Sequence, residues 1–363
     1  CDVVFAVEPD EKEDADASAC QADLWKAIDE YLQRVTVVDP ACGSGSFLVG
    51  MLQVLDDLTG RANEQLGRQE SAYERKKRVI GQSLYGVDVM QWAVDIAELR
   101  LWLQLVVDTD ISAAERIVRP LLPNLTFKIR CGDSLVQQVG GVSLSELHGR
   151  SKLPAGIQGR LRQLKAAKLH FYYNTQGHLG EDEIQQQELT LFREILEQQL
   201  QQLDTQAKGL QGRLDAAHTE QGEFAGMAAA NDETSRRELR RLEEDLHRIQ
   251  EEFVRIAQAR RALVSARDIP FVWDVAFVEV FESDQKGFDI VIGNPPYVMY
   301  KRIVDPKDCE PPGASGSPRR YKDQLAASIY ATSPAFFGFS STTGRVTRPL
   351  SGMSDLYIYF YFK

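Results

Sequence analysis

The chain has 363 residues, of which 43% are hydrophobic, and a formal net charge of −11; such a length can bury a sizeable core, and the composition is typical of globular proteins. Together they exclude a small peptide module, bulk disorder and a collagen-like repeat, and the acidic balance argues against a protein that coats nucleic acid. The five cysteines contain no C-x-x-C pair and the five histidines no ligand spacing, so we expect a reducing, cytoplasmic compartment and no protein-bound metal.

The first part of the chain predicts repeated strand-then-helix units. An acidic segment, residues 1–22, precedes Asp23–Val35, whose apolar spacing predicts an amphipathic helix. The β-branched run VTVVD, which ends at Asp39, predicts a short buried strand. The later elements of this kind are the helix Phe47–Leu58, the strand Ser83–Asp88, the helix Met90–Val107 and a third unit over Leu125–Leu135. This alternation predicts an α/β fold with a parallel, doubly wound sheet covered on both faces.

A long helical interruption delays the fourth strand. Residues 181–268 are rich in Gln, Glu, Arg and Leu, lack proline and carry apolar residues at heptad spacing. Because Gly222–Thr234 offers a turn, we expect an antiparallel helical hairpin, a coiled coil, inside an insertion over residues 151–268. The sheet domain resumes over residues 269–363, where FDIVIG, Phe288–Gly293, predicts the fourth strand.

Other features have plain structural interpretations. Asp305–Arg320 is rich in Pro, Gly and Ser and predicts a mobile loop. The arginines in the second half of the hairpin alternate with glutamates, which indicates a solvated helix face. We expect Phe271 and Trp273 to pack the segment before the fourth strand onto the sheet. No apolar run approaches the roughly 20 residues of a membrane span, so no membrane association is expected.

A glycine-rich turn, DPACGSGSF, connects the first predicted strand to the next helix. Gly43 and Gly45 let the backbone approach a ligand closely, and the following helix N-terminus offers N–H groups to a negative group. The turn matches neither G-x-G-x-x-G nor the phosphate loop G-x-x-x-x-G-K-[ST]. We interpret Cys42 as a small residue in a tight turn rather than as a nucleophile. The candidate ligand-binding residues here are Asp39, Pro40, Ala41, Cys42, Gly43, Ser44, Gly45 and Phe47.

Acidic side chains follow the second and third predicted strands. Asp88, next to Val89, lies where a doubly wound sheet presents an acid to ribose hydroxyls. Asp133, next to Ser134, repeats the pattern and can accept a hydrogen bond from an adenine amino group. Taken alone, either aspartate could equally be a solvated residue at the end of a strand rather than a ligand-binding one. Together with Asp39 they indicate a nucleoside ligand at the carboxyl edge of the sheet.

The sequence NPPY, Asn294–Tyr297, directly follows the fourth predicted strand. An exocyclic amino nitrogen is a poor nucleophile because its lone pair is delocalised into the ring. The Asn294 side-chain oxygen and the Pro295 carbonyl can accept hydrogen bonds from both N–H groups of this nitrogen. They can thereby orient its lone pair at an electrophilic methyl group. Pro295 and Pro296 hold the turn rigid, and Tyr297 can stack on a planar base. A Pro-Pro turn with a packing tyrosine is the alternative interpretation of this motif alone.

In this order, DPACGSGSF, GVD, CGDS and FDIVIGNPPY resemble the motifs of Class I, S-adenosylmethionine-dependent DNA adenine-N6 methyltransferases of the gamma subgroup. The helical insertion and the later SDLYIYF look most like the large methyltransferases of type IIG restriction-modification and BREX phage defence. The resemblance implies a Rossmann-like sheet, of which four of the usual seven strands can be found. Residues 23–150 would be its cofactor-binding half, and residues 269–363 the remainder with the NPPY motif.

The resemblance also implies roles for the candidate residues. Asp39–Phe47 would hold the methionine part of S-adenosyl-L-methionine, Asp88 its ribose, and Asp133 with Ser134 its adenine. Asn294–Tyr297 would engage an adenine flipped out of double-stranded DNA, and no general base is expected. The family's upstream Tyr-Thr-Pro element and its target recognition domain are not recognised in this sequence. We therefore expect that the 363-residue chain alone does not methylate a defined DNA site.

Three alternatives stay open at this stage. A protein-glutamine methyltransferase also uses NPPY, although it typically has a D-x-G-x-G-x-G loop and no long helical insertion. A cytosine-N4 DNA methyltransferase acts on a similar amino group, although serine commonly replaces the residue that is Asn294 here. A non-catalytic subunit whose helical hairpin binds protein partners in a defence complex belongs to a different functional class.

Overall fold

The structure is a computed structural model that describes residues 2–6, 8–107, 123–139, 142–143, 155–175, 177–223, 232–265, 269–282, 287–304, 318–340 and 344–361. Its strands are β1 (Val37–Asp39), β2 (Leu84–Asp88), β3 (Ile129–Cys131), β4 (Gln138–Val139), β5 (Val142–Ser143) and β6 (Ile290–Val291). Within the described residues up to Ala262, the helices are α1 (Asp2–Phe5), α2 (Pro9–Gln21), α3 (Trp25–Leu32), α4 (Ser46–Gln65), α5 (Ala72–Ser83), α6 (Gln91–Val107), α7 (Ala155–Tyr172), α8 (Glu181–Glu223) and α9 (Asp232–Ala262). The C-terminal part adds α10 (Trp273–Ala276), α11 (Val278–Phe281), a 3-10 turn (Tyr300–Arg302), α12 (Pro318–Thr332), α13 (Pro334–Phe337) and α14 (Leu356–Tyr361).

Four parallel strands form the central sheet in the order β3-β2-β1-β6, and β4 pairs with β5 in a separate antiparallel ribbon. Val37 of β1 lies opposite Leu84 of β2 on one side and Ile290 of β6 on the other. The α/β class and the four predicted parallel strands are confirmed. Each strand is shorter than the segment predicted to contain it. The first begins at Val37 rather than Val35 and the second at Leu84 rather than Ser83, while the third and fourth cover only Ile129–Cys131 and Ile290–Val291.

Alternate residues of the strands enter cores on the two faces of the sheet. Val37 and Leu84 pack with helices α3 to α6 on one face. Val38 and Tyr85 pack on the other face with Phe271 and other residues of the segment before β6. Since period-two alternation places neighbouring side chains on opposite faces, both faces of β1 and β2 are buried. The predicted packing of Phe271 and Trp273 onto the sheet is confirmed, as the two rings lie 4.9 Å apart in this second core.

The N-terminal helices differ from the prediction. Asp23 has a φ of 50°, a left-handed conformation that stops a regular helix, so α3 begins at Trp25 rather than at Asp23. The acidic segment before it is not irregular: α2 begins with Pro9 and is capped reciprocally by Glu8 and Glu11. Its buried face consists of two alanines, Ala15 and Ala19. A face of small residues gives little hydrophobic periodicity, which is why the sequence pattern did not reveal this helix.

The two longest helices, α8 and α9, pack against each other in opposite directions. Arg193 donates to the carbonyl of Leu263, whereas Leu214, farther along α8, packs with Leu239 near the start of the described part of α9. The heptad positions that are buried include Leu189, Phe192, Leu196, Leu200, Leu203, Leu239, Leu242, Leu246, Ile256 and Leu263. Phe253 is an exception, since it is 37% exposed. The predicted turn falls mostly at residues 224–231, outside the described residues, so the hairpin insertion stays a prediction.

The predicted mobile loop Asp305–Arg320 overlaps the start of one helix, and a second short helix follows later in the chain. The last three residues of Asp305–Arg320 form the start of α12, and residues 305–317 lie outside the described part of the chain. The stretch between α12 and α14 includes α13, which begins at Pro334, ends at Phe337 and is followed by Gly338 with a φ of 59°. A proline in the first turn and a glycine after the last are standard helix boundaries, and a pattern based on apolar spacing misses a helix of this length.

Candidate active site at the carboxyl edge of the sheet

The turn between β1 and α4 depends on two glycines with positive φ. Gly45 has a φ of 78°, and a β-carbon there would lie 2.9 Å from the β-carbon of Ala97 on α6. Gly43 has a φ of 51°, and no atom lies within 4 Å of the place of its missing β-carbon. Gly45 therefore permits close packing of two helices, while Gly43 leaves open space on the outer side of the turn.

Two backbone hydrogen bonds fasten this turn to the end of β2. The N–H of Cys42 donates to the carbonyl of Val87 over 2.9 Å, and the N–H of Gly43 donates to Oδ2 of Asp88, also over 2.9 Å. The Cys42 side chain is buried, and burial, with the charges of Asp39 and Asp88, raises the pKa of its thiol. A thiol that resists ionisation is a poor nucleophile, which agrees with its interpretation as a small packing residue.

Asp88 connects two backbone segments. While Oδ2 accepts from Gly43, Oδ1 accepts from the N–H of Met90 over 2.9 Å, one residue before α6 begins. The carboxylate is half-buried, and Val89 beside it is 43% exposed. Asp88 thus fixes the relative position of the glycine-rich turn and α6, a structural task that the sequence pattern did not show.

Asp39 places a buried carboxylate at the end of β1. Its side chain is 1% exposed, and Oδ1 accepts a hydrogen bond from the N–H of Ala41 over 3.1 Å. Burial and, to a smaller extent, the negative charge of Asp88 raise the pKa of Asp39 to about 6. A desolvated acid next to a second acid favours a cation as its neighbour.

Asp133 lies in the loop that follows β3. Its Oδ1 accepts from the N–H groups of Leu135 and Val136 over 2.9 and 3.0 Å, and its Oδ2 accepts from the hydroxyl of Tyr321 over 2.6 Å. Ser134 is buried, and its carbonyl accepts from Nε1 of Trp273 over 3.0 Å. Tyr321 lies 188 residues from Asp133 along the chain, and no sequence pattern indicates this contact.

The N–H of Gly132 connects this loop to β2, because it donates to the carbonyl of Asp88 over 2.8 Å. A β-carbon at Gly132 would lie 2.3 Å from the β-carbon of Phe271. Position 132 therefore requires glycine, since no larger residue fits between the loop and the second core.

The target motif begins where β6 passes β1. The N–H of Ile292 donates to the carbonyl of Val38 over 2.9 Å. Gly293 follows with a φ of 155°, and a β-carbon there would lie 2.7 Å from Oδ1 of Asp39. This close approach brings the predicted target motif to the predicted cofactor motif, because Asn294 is the next residue along the chain.

The NPPY residues are accessible at the surface. Asn294 and Pro296 are exposed, Pro295 is half-buried and Tyr297 is 76% exposed. The ring of Tyr297 lies 5.6 Å from that of Tyr357. An exposed aromatic ring next to an exposed amide suits the binding of a planar group from solvent.

The later segment SDLYIYF packs directly behind the NPPY turn. The N–H of Tyr300 donates to Oδ1 of Asp355 over 2.8 Å, and the N–H of Leu356 donates to the carbonyl of Val298 over 2.9 Å. The similarity of this segment to the family was recognised in the sequence, but its contact with the turn was not.

The structure thus brings most of the predicted site residues to one edge of the sheet. Direct contacts join the glycine-rich turn, with Asp39, to Asp88 and to Gly293. Asp133 directly follows Gly132, whose N–H donates to the carbonyl of Asp88. Phe47 is 51% exposed on the first turn of α4. Pro40 and Ser44 are half-buried in the turn. No direct contact between Asn294 and the other candidate residues is described, and Asn294 is placed by Gly293.

The described residues contain no cluster of three or more His, Cys, Asp or Glu side chains that could bind a metal ion. Among the described helices, none combines the length and the apolar character that crossing a membrane requires.

Comparisons with known proteins cover all the candidate residues. The family described as Eco57I restriction-modification methylase matches residues 82–339, which is more than half of the chain. The family described as MmeI, DNA-methyltransferase domain, matches residues 13–150. The first match includes Asn294–Tyr297 and the second includes Asp39–Phe47.

One relative from Methanocaldococcus jannaschii carries a name that describes a type II restriction enzyme and methyltransferase. It is 27% identical over 292 residues, which cover 76% of this chain and 23% of the relative. The chain therefore spans less than a quarter of the length of that protein. No solved structure matches the chain.

Proposed function

This chain belongs to the Eco57I restriction-modification methylase family, and on that premise we propose that it transfers a methyl group from S-adenosyl-L-methionine to N6 of adenine in double-stranded DNA. The observation that carries the proposal is the approach of Gly293 to Oδ1 of Asp39. Because Asn294 and the two prolines directly follow Gly293, this contact supports a location of the NPPY motif near the buried acid at the end of β1.

The edge of the sheet suits S-adenosyl-L-methionine in three respects. Gly43 faces open space, so a ligand has room to approach the backbone of the turn. Asp39 is a buried carboxylate next to Asp88, a charge arrangement that favours the cationic methionine part. Asp133 presents an oriented carboxylate that can accept a hydrogen bond from an adenine amino group. When bound, this cofactor supplies an electrophilic methyl group on a positively charged sulfur.

The protein's own task at the target is to position and polarise an amino group. The side-chain oxygen of Asn294 and the carbonyl of Pro295 accept hydrogen bonds from the two N–H groups of the target amino group. The nitrogen lone pair then points at the methyl group. The developing positive charge on nitrogen is stabilised by these two preorganised acceptors. Tyr297, which is 76% exposed, stacks on the base after it has left the duplex. No side chain has to remove a proton before the methyl group transfers.

Adenine N6 is preferred over the two related targets because of the family match and the residue at position 294. Cytosine N4 and the glutamine amide are also delocalised amino groups that two acceptors can polarise, so the NPPY geometry does not distinguish them by itself. Membership of a restriction-modification methylase family favours DNA over a protein substrate. The asparagine at position 294, where cytosine-N4 enzymes commonly carry serine, favours adenine.

A role in restriction-modification or phage defence follows from the same premise. The relative's name describes both a restriction enzyme and a methyltransferase, and methylation of adenine would protect host DNA. Partner proteins of a defence system would then bind the same chain. The exposed residues of α8 and α9 form one candidate surface.

The test is methyl transfer from labelled S-adenosyl-L-methionine to mixed-sequence duplex DNA by the protein, followed by nucleoside analysis of the product. N6-methyladenine supports the proposal, whereas N4-methylcytosine or label in protein glutamine overturns it. The variant Asn294→Ala should lower the rate by about 100-fold or more, since one acceptor at the developing charge is lost. It should bind S-adenosylhomocysteine with nearly unchanged affinity. Failure of the unmodified protein to bind this product in calorimetry would favour a non-catalytic subunit.

A further inference from the structure

Helix α12 holds the loop that carries Asp133. The hydroxyl of Tyr321 donates to Oδ2 of Asp133 over 2.6 Å, and the hydroxyl of Ser328, on the same helix, donates to the carbonyl of Leu135. Both side chains are buried, with Tyr321 7% and Ser328 2% exposed. A hydroxyl that donates to a carboxylate at this distance forms a short, charge-assisted hydrogen bond.

The hydrogen bonds define the orientation of the Asp133 carboxylate from two sides. The N–H groups of Leu135 and Val136 hold Oδ1 from within the loop, and Tyr321 holds Oδ2 from outside it. The two loop bonds reach only Oδ1, whereas the phenol binds Oδ2. Tyr321, a residue far away in the sequence, therefore restrains rotation of the carboxylate about Oδ1.

The same helix contacts the segment that follows the NPPY turn. Tyr321, Leu325 and Ile329 share one apolar core with Leu135 and Ile303. Val298 and Tyr300 pack against this core. Tyr321 is therefore placed by packing before any ligand binds. A rigidly packed donor costs little conformational freedom when it orients its partner, which is how supporting residues sharpen a binding site.

We infer that Tyr321 is a positioning residue of the adenine site, which with Ser328 orients the Asp133 carboxylate toward the 6-amino group of the cofactor's adenine. This inference rests on the proposed function, because it takes Asp133 as the adenine acceptor. It adds that selectivity for the amino group depends on a helix beyond the NPPY motif. Tyr321 acts on the cofactor through Asp133, so it is a positioning residue and not a catalytic one.

The test compares two ligands by calorimetry: S-adenosylhomocysteine and its deaminated analogue, S-inosylhomocysteine, in which a carbonyl acceptor replaces the amino donor. The unmodified protein should prefer the adenine compound by about tenfold or more, since a hydrogen bond to a charged acceptor is lost in the analogue. In Tyr321→Phe, which keeps the ring in the core, this preference should fall by about fivefold. A preference that stays unchanged overturns the inference.

The matched control is Tyr330→Phe on the same helix. The hydroxyl of Tyr330 accepts from the N–H of Leu350 over 2.9 Å, within the same core but away from Asp133. It should leave the preference unchanged. An equal fall in both variants would show a general loosening of the core and would also overturn the inference.

A second variant decides the matter if Tyr321→Phe loses its fold in thermal unfolding. Ser328→Ala removes the bond to the Leu135 carbonyl and should lower the same preference by about twofold to threefold, a smaller loss because the phenol remains. No change in Ser328→Ala would then overturn the inference. Failure of the unmodified protein to bind S-adenosylhomocysteine overturns the proposed function instead, so the two failures are distinguishable.

Discussion

Asp39 and Asp88 stand at the ends of neighbouring strands, and the charge of Asp88 adds to the effect of burial in raising the pKa of Asp39 to about 6. The two carboxylates differ in their hydrogen-bond partners and in their burial. Asp88 accepts backbone hydrogen bonds from Gly43 and Met90, whereas Asp39 is enclosed, with one backbone donor at 3.1 Å. A buried acid with a pKa near 6 changes charge within a range that a binding experiment can reach.

We predict that affinity for S-adenosylhomocysteine falls as the pH falls through about 6. Above this pKa Asp39 is ionised and attracts the ligand's ammonium group; below it Asp39 is neutral and the attraction is lost. Between pH 7 and pH 5 the affinity should drop by about tenfold, as expected for one ionisation linked to binding. Calorimetry across this range measures the effect. In Asp39→Asn the affinity should be low and should show no step near pH 6; an identical step in that variant would assign the titration to another group.

The same carboxylate should destabilise the ligand-free chain at neutral pH. Because the pKa rises from 3.8 to about 6, the folded chain binds an extra proton between these values, and the free energy of unfolding falls as the pH rises through that window. Asp39→Asn should therefore raise it by on the order of 1–3 kcal/mol at pH 7.5 and by nothing measurable below pH 4. Denaturant unfolding at both pH values checks this. A variant that is less stable at pH 7.5 would show that the carboxylate is needed structurally.

Gly293→Ala tests the contact between the two motifs. A β-carbon at this position would lie 2.7 Å from Oδ1 of Asp39, and the φ of 155° strains any other residue. The NPPY turn must then shift, and we expect a loss of methyl transfer of about 100-fold, since a displacement near 1 Å has that effect. Gly287→Ala is the control, because no atom lies within 4 Å of its missing β-carbon; it should retain activity within about twofold. Equal activity in both variants would remove the contact from the mechanism.

The sheet and its carboxyl edge were predictable because both depend on local sequence. Short, mostly apolar runs that end in Asp39 and Asp88 predict buried parallel strands, and the carboxyl ends of parallel strands meet at one edge. The glycines at 43 and 45 also signal their own conformation, and both have positive φ. These features need no knowledge of distant residues.

The parts that the sequence did not reveal depend on contacts between distant segments. Tyr321 reaches Asp133 across 188 residues, and Asp289 accepts from the N–H of Thr36 across 253. Neither residue belongs to a pattern of spacing. Helix α2 was missed for a different reason, since its buried face consists of alanines. Hydrophobic periodicity detects helices and strands that bury large apolar side chains. It does not detect a buried face of small residues or a single polar contact.

The last prediction concerns how α7 and α8 are joined to the sheet. Lys168 of α7 pairs with Glu188 of α8 at 2.7 Å, and their side chains are 2% and 1% exposed. Lys168 also donates to the carbonyls of Val275 and Ala276 over 2.9 and 2.8 Å, and Arg130 of β3 pairs with Glu188 at 3.0 Å. Burial opposes the charge on Glu188, but Arg130 and Lys168 together hold its pKa below the ordinary value.

Lys168→Met should therefore lower the free energy of unfolding by about 3–5 kcal/mol, because it leaves Glu188 with half of its compensating charge and removes the donor from two buried carbonyls. Lys208→Met is the control, since the Lys208–Asp204 pair on α8 is 75% and 51% exposed and should contribute less than about 1 kcal/mol. The double variant Lys168→Met with Glu188→Gln should cost less than the sum of its single variants, since the two residues are in contact. Denaturant unfolding of the four variants measures these differences. If Lys168→Met were no more costly than Lys208→Met, the buried pair would not be what holds α7 and α8 against β3, and the apolar cluster around Phe192 and Val275 would have to do so alone.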